Sequence, residues 1–179
     1  VPVGAQVAAL GPADSRQEAQ AEIVRLQSGE ADWKHVSGTV QRLPGEARAP
    51  HPLSPGLAEI ALTLCDHDTP VWLDPVLAAA PAVADWLAFH VGASLTSDPA
   101  GAAFACASSG KTLPAGPHFA LGTDEYPDRS TTIVLAIPAL TGGPTLTLRG
   151  PGIKGEASLA PTGLPEDFGT QWAENRAQF

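Results

Sequence analysis

Leu62-Thr63-Leu64-Cys65-Asp66-His67-Asp68-Thr69-Pro70-Val71-Trp72-Leu73-Asp74 decides how the rest of the chain is read. Two apolar runs flank a polar knot, Asp66-His67-Asp68-Thr69, as where a chain turns from one buried element into the next. Upstream, Ser54-Pro55 is a helix start, with serine as N-cap and proline at the first helical position. Leu57, Ile60, Ala61 and Leu64 form one apolar face, and Ala58, Leu62 and Cys65 are apolar as well. Only Glu59, Thr63 and Asp66 make a polar stripe, so the helix is expected to be mostly buried. Downstream, Val71-Trp72-Leu73 reads as a short buried strand. Helix, knot and strand together indicate an α/β domain.

The same reading extends in both directions. Residues 1–14 are apolar but aperiodic and read as a loose arm. Ser15 to Leu26 has a capping box at Ser15 and Glu18 and one apolar helical face. Val36 to Leu43 reads as a strand stopped by Pro44-Gly45, and 44–53 as a surface loop. Pro81 opens a helix through Val83, Trp86, Leu87 and His90 that Gly92 ends. Ala102–Ala107, Thr131–Ile137 and Thr145–Arg149 read as strands, the last two joined across Thr141-Gly142-Gly143-Pro144 as a hairpin. Residues 156–163 read as loop and Leu164–Phe179 as a helix with Phe168, Trp172 and Phe179 on one face. The expectation is a single domain over 15–179, a mixed sheet flanked by helices.

Composition narrows the partners. The 179 residues suffice for one core, and ten Lys plus Arg against nineteen Asp plus Glu give a net charge of −9. Nucleic acid and anionic membranes both need clustered cations, so neither is an expected partner. The longest apolar run, Ile133 to Leu140, is far short of a membrane span. Val1 to Leu10 lacks the basic start of a signal peptide, and no Met occurs at all, which suggests a processed or partial chain. Cys65 and Cys106 have no metal-type spacing and read as buried free thiols of a cytoplasmic protein.

Several motifs suggest chemistry, and each has a plainer alternative. Ala105-Cys106-Ala107-Ser108-Ser109-Gly110-Lys111-Thr112 resembles a relaxed phosphate-binding loop. Such a loop opens directly into a helix, and Leu113-Pro114-Ala115-Gly116-Pro117 disfavours one. Asp66, His67 and Asp68 could ligate a divalent metal, or their carboxylates could cap a turn next to Thr69-Pro70. Turn chemistry is the stronger of the two, and no metal is expected. Arg129-Ser130, after Tyr126-Pro127-Asp128, could bind an anion or form part of a solvated loop. No Gly-x-Ser-x-Gly elbow or nucleophilic-cysteine signature occurs. The lysines are Lys34, Lys111 and Lys154 only, and Lys34 and Lys154 sit in solvated surroundings unlike a Schiff-base site. The candidate ligand-binding residues are thus Asp66, His67, Asp68, Thr69, Arg129 and Ser130, with no catalytic residue and no cofactor.

Leu62-Thr-Leu-x-Asp-x-Asp-Thr-Pro-Val-Trp-Leu73 also resembles the PhnH subunits of the bacterial carbon–phosphorus lyase system. The resemblance resumes at Leu121-Gly-Thr123, Thr131-Thr-Ile-Val-Leu135, Leu146-Thr-Leu-Arg-Gly-Pro-Gly-Ile153, Leu164-Pro-Glu166 and Asn175-Arg-Ala-Gln-Phe179. It covers the chain from about Gly38 onward. Residues 15–35 and 108–118 depart from the family pattern, and the family continues past Phe179 into one more strand. The resemblance implies a three-layer sandwich similar to the large domain of pyridoxal-phosphate-dependent transferases, without that cofactor. It further implies a homodimer that joins other subunits of the lyase core complex, which links a phosphonate to ribose triphosphate by displacing adenine from ATP. The family supplies no catalytic residues to carry over. The rival expectation is a free-standing enzyme or ligand binder using Asp66-His67-Asp68 and Arg129.

Overall fold

Helix α1, Pro55–Leu64, begins where Ser54 and Pro55 place it, with Ser54 Oγ accepting from Leu57 N–H at 3.3 Å. The computed structural model describes residues 7–10, 47–123, 125–126, 129–149, 153 and 155–177. The expected helix at 15–26 and strand at 36–43 lie outside them. Leu57, Ala58, Ile60 and Ala61 are buried, as the narrow polar stripe requires. The final turn departs from that pattern: Leu62 and Leu64 are both exposed.

Beyond the polar knot, β2 (Val71–Leu73) is buried at every position. Asp74-Pro75 repeats the cap-then-proline start and opens a one-turn helix α2, Pro75–Ala78. Helix α3, Pro81–His90, ends at Val91, and Gly92 has the positive φ (72°) of a left-handed terminator. Strands β3 (Leu95–Thr96), β4 (Phe104–Ala107) and β5 (Thr132–Ala136) follow.

The main sheet has the order β1-β5-β4-β2-β3, where β1 is Val7–Leu10, and every pairing in it is parallel. Two expectations are corrected here. Residues 7–10 of the expected arm form an edge strand, with Val7 opposite Ile133. An unalternating apolar run is how a strand of a parallel sheet reads, so periodicity could not reveal it. The expected hairpin between Thr131–Ile137 and Thr145–Arg149 does not form. Strand β6, Leu146–Leu148, pairs antiparallel with β7, Ala157–Leu159, in a separate two-stranded sheet. Residues 157–159, expected in a loop, thereby satisfy the backbone of β6. The C-terminal helix α4 spans Phe168–Ala177, starting later than Leu164 because Pro165 precedes it.

Side chains alternate between two cores. Val71, Leu73, Cys106 and Val134 point to the face covered by α1, α2 and α3. Trp72, Ala105 and Ile133 point to the other, where Phe119 meets Trp72 edge-to-face at 5.6 Å. Ala107, Leu135 and Ile137 continue that second core, with Leu159 and Leu164 against it. Buried Thr131 fastens the entry to β5: its hydroxyl donates to Ala102 O at 2.7 Å and accepts from Ala120 N–H.

Candidate functional site

In a parallel sheet all strands end on one edge, and crevices form there when neighbouring strands send their connections in opposite directions. β2 and β4 are such a pair. From β2 the chain leaves through α2 and α3 to β3 on one side, and from β4 it leaves toward β5 on the other. The residues that follow the two strands, Asp74 and Ser108, meet at this point.

Asp74 is fully buried, and donors surround its carboxylate. Oδ1 accepts from Leu77 N–H at 2.8 Å, capping α2. Oδ2 accepts from Ser108 N–H at 2.8 Å, Ser108 Oγ at 2.6 Å and Thr112 Oγ1 at 2.5 Å. A buried carboxylate is tolerable only with such a set of donors, and this one ties the end of β2 to the loop after β4. Within that loop Thr112 N–H donates to Ser109 O, and Lys111 N–H to Ser109 Oγ. No helix follows Thr112; the next regular element is a 3-10 turn at Gly116–His118.

The opposite wall comes from the approach to α4. A Cβ at Gly110 would sit 2.4 Å from Gly163 O and 2.8 Å from Pro165 N, so only glycine allows the loop to lie against this segment. Gln171 Nε2 donates to Asp167 Oδ1 at 2.7 Å while its Oε1 accepts from Gly116 N–H at 2.9 Å. The space between the walls, over the end of β5, is a crevice of about 1040 Å³ whose lining includes Ser109, Lys111, Ile137, Leu164, Glu166 and Asp167.

The residues singled out from sequence lie at the other edge of the sheet. Asp66, His67, Asp68 and Thr69 precede β2, and Arg129 and Ser130 precede β5, two strands away. The knot's polar atoms serve one another: Asp66 Oδ1 accepts from Asp68 N–H at 3.0 Å, and Thr69 Oγ1 accepts from Asp66 N–H at 2.6 Å. His67 Nε2 lies 3.2 Å from Asp68, both about four-fifths exposed. Arg129 stacks on the Tyr126 ring at 4.0 Å, and Ser130 bridges to Leu121. Among the described residues, no hydrogen bond, ion pair or ring contact joins Arg129 to the knot. Nor do three His, Cys, Asp or Glu side chains among them group as metal ligands.

Sequence reasoning did not single out Asp74, and it weighed Ser108 and Thr112 only as part of a phosphate-binding loop that it set aside. The available signal was Asp74-Pro75 directly after a buried strand, a cap placed at a strand's carboxyl end. Cys65 and Cys106 are buried and unpaired, as expected. Burial pushes both thiols up to about 12, which favours the protonated, poorly nucleophilic form.

Residues 36–179 match the family model described as bacterial phosphonate metabolism protein (PhnH). The chain is also 50% identical over 142 residues to the alpha-D-ribose 1-methylphosphonate 5-triphosphate synthase subunit PhnH of Rhizobium meliloti (strain 1021), covering 79% of this chain and 70% of that one. The match takes in every described element from α1 to α4, including both walls of the crevice, and the chain belongs to the PhnH family.

Proposed function

We propose that this chain is a non-catalytic subunit of an assembly that joins a phosphonate to ribose triphosphate during phosphonate breakdown. The observation that carries this reading is the 50% identity to a subunit of a ribose methylphosphonate triphosphate synthase. Burial favours the protonated form of both cysteines, and the buried Asp74 carboxylate is committed to four structural donors.

The same reading makes the chain one α/β domain that pairs with a second copy and joins other subunits of the carbon–phosphorus lyase core. It resembles in architecture the large domain of pyridoxal-phosphate-dependent transferases, for which the parallel sheet with three helices packed on one face is the support. Asp74 does not suit that cofactor. A pyridinium nitrogen needs a carboxylate facing it, and both oxygens of Asp74 are already occupied. Two buried free thiols favour a cytoplasmic setting. No helix among the described residues is long and apolar enough to cross a membrane. For the Asp66–Thr69 knot, mutual hydrogen bonding favours a turn that delivers Trp72 into the core over a ligand site.

The test is capture of the tagged full chain from a bacterium growing on a phosphonate. Other subunits of the synthase are expected to co-purify. A chain recovered free of them, monomeric on size exclusion, overturns the reading.

A further inference from the structure

The crevice at the carboxyl ends of β4 and β5 has no role in the fold that would explain its size. Its two walls are fixed. The loop 108–112 hangs from Asp74 by three donors, and Gly110 lets it press backbone-to-backbone against Gly163–Pro165. A volume of about 1040 Å³ between rigid walls is the size of a small-molecule site, and its position is where parallel α/β sheets hold ligands.

The lining specifies the ligand. It carries one cation, Lys111, and two carboxylates, Glu166 and Asp167. Lys111 makes no ion pair among the described residues, and it is exposed at the mouth. The Ser109 side chain and the Ser54 end of α1 border the same space, adding hydroxyls and the positive end of a ten-residue helix. One oxyanion is therefore accommodated beside Lys111. A polyphosphate is not, because a single cation facing two carboxylates cannot neutralise it. Carboxylates are acceptors for vicinal hydroxyls, the role they have against ribose in dinucleotide sites. Leu113, Ile137 and Leu164 give the apolar surface on which a sugar ring can lie.

We infer that this crevice binds a small hydroxyl-bearing phosphate or phosphonate ester, its oxyanion at Lys111 and its hydroxyls at Glu166 and Asp167. The choice of a ribosyl compound within that class rests on the synthase reading, and the crevice itself does not. Calorimetric titration of the full chain with ribose 5-phosphate, ribose, inorganic phosphate and methylphosphonate tests it. Saturable binding of ribose 5-phosphate is expected, weakened at least about tenfold by Lys111→Ala. Glu166→Gln is expected to weaken ribose 5-phosphate severalfold and leave methylphosphonate unchanged. Both side chains are exposed, so circular dichroism should find both variants folded. Absence of saturable binding by ribose 5-phosphate overturns the inference, as does binding indifferent to Lys111→Ala. Inorganic phosphate bound as tightly as ribose 5-phosphate overturns its sugar half. A chain that captures synthase subunits yet binds no ribosyl ligand sinks the inference alone. A chain that binds the ligand yet captures none sinks the assembly reading alone.

Discussion

Asp74 concentrates more of the fold's polar bonding than any expectation from its neighbours suggested. Replacing it with alanine removes the acceptor of Leu77 N–H, Ser108 N–H and the Ser108 hydroxyl, and leaves the Thr112 hydroxyl only Ser109 O at 2.9 Å. Hydrogen bonds to a carboxylate are worth about 1.5–3 kcal/mol each, and they are not additive. Asp74→Ala is therefore expected to cost about 3 kcal/mol or more in urea unfolding, and Thr112→Val, which removes one bond, about 1–2 kcal/mol. A Thr112→Val variant as damaged as Asp74→Ala would mean the hydroxyl, not the carboxylate, organises the loop. The thiols give a pH prediction. Burial raises both from 9.0 to about 12, so the folded chain holds protons that the unfolded chain releases. That contribution to stability is whole below pH 9 and is lost as pH rises through 12. Ellman's reagent at pH 8 should leave both cysteines unmodified until urea unfolds the chain.

Among the elements, glycine positions separate close approach from simple helix propensity. At Gly110 an added methyl meets backbone at 2.4 Å, so Gly110→Ala must push apart the two walls of the crevice. It should cost about 3 kcal/mol and open the site, lowering the urea midpoint and any ligand affinity together. At Gly169, in the first turn of α4, the same methyl meets nothing within 4 Å. Gly169→Ala should be neutral or stabilise by about 0.5–1 kcal/mol, because alanine restricts the unfolded chain. This contrast also marks what the sequence could convey. The starts of α1 and α3, the strand Val71–Leu73 and the left-handed Gly92 were legible, because caps, prolines and apolar runs act locally. Strand partners were not. Nothing near Thr145–Arg149 distinguishes pairing with the preceding strand from pairing with Ala157–Leu159, the partner it takes. The tie from Asp74 to the loop 108–112 was hidden for the same reason. Asp74 and Thr112 are 38 residues apart and meet only because β2 and β4 are neighbours, whereas the conspicuous Asp66-His67-Asp68 cluster is satisfied within its own turn.

For the molecule as a whole, the net charge of −9 sets how it meets a second copy. Two such chains repel at long range whatever holds them at contact, and the repulsion is screened over a Debye length of about 30 Å at 0.01 M salt and about 10 Å at 0.1 M. The face that joins them must therefore gain most of its free energy from apolar burial, and surface side chains such as Phe89, 84% exposed on α3, remain available for that. Apolar burial persists in salt, while the opposing repulsion fades. The proposed homodimer should accordingly tighten severalfold as salt rises from about 0.01 to 0.1 M, the interval over which the screening length falls from about 30 to 10 Å. Sedimentation equilibrium at the two ionic strengths measures this directly. Weakening with salt would mean that ion pairs hold the contact, and would place it on the few regions where cations such as Arg48 and Arg129 offset the acidic surface.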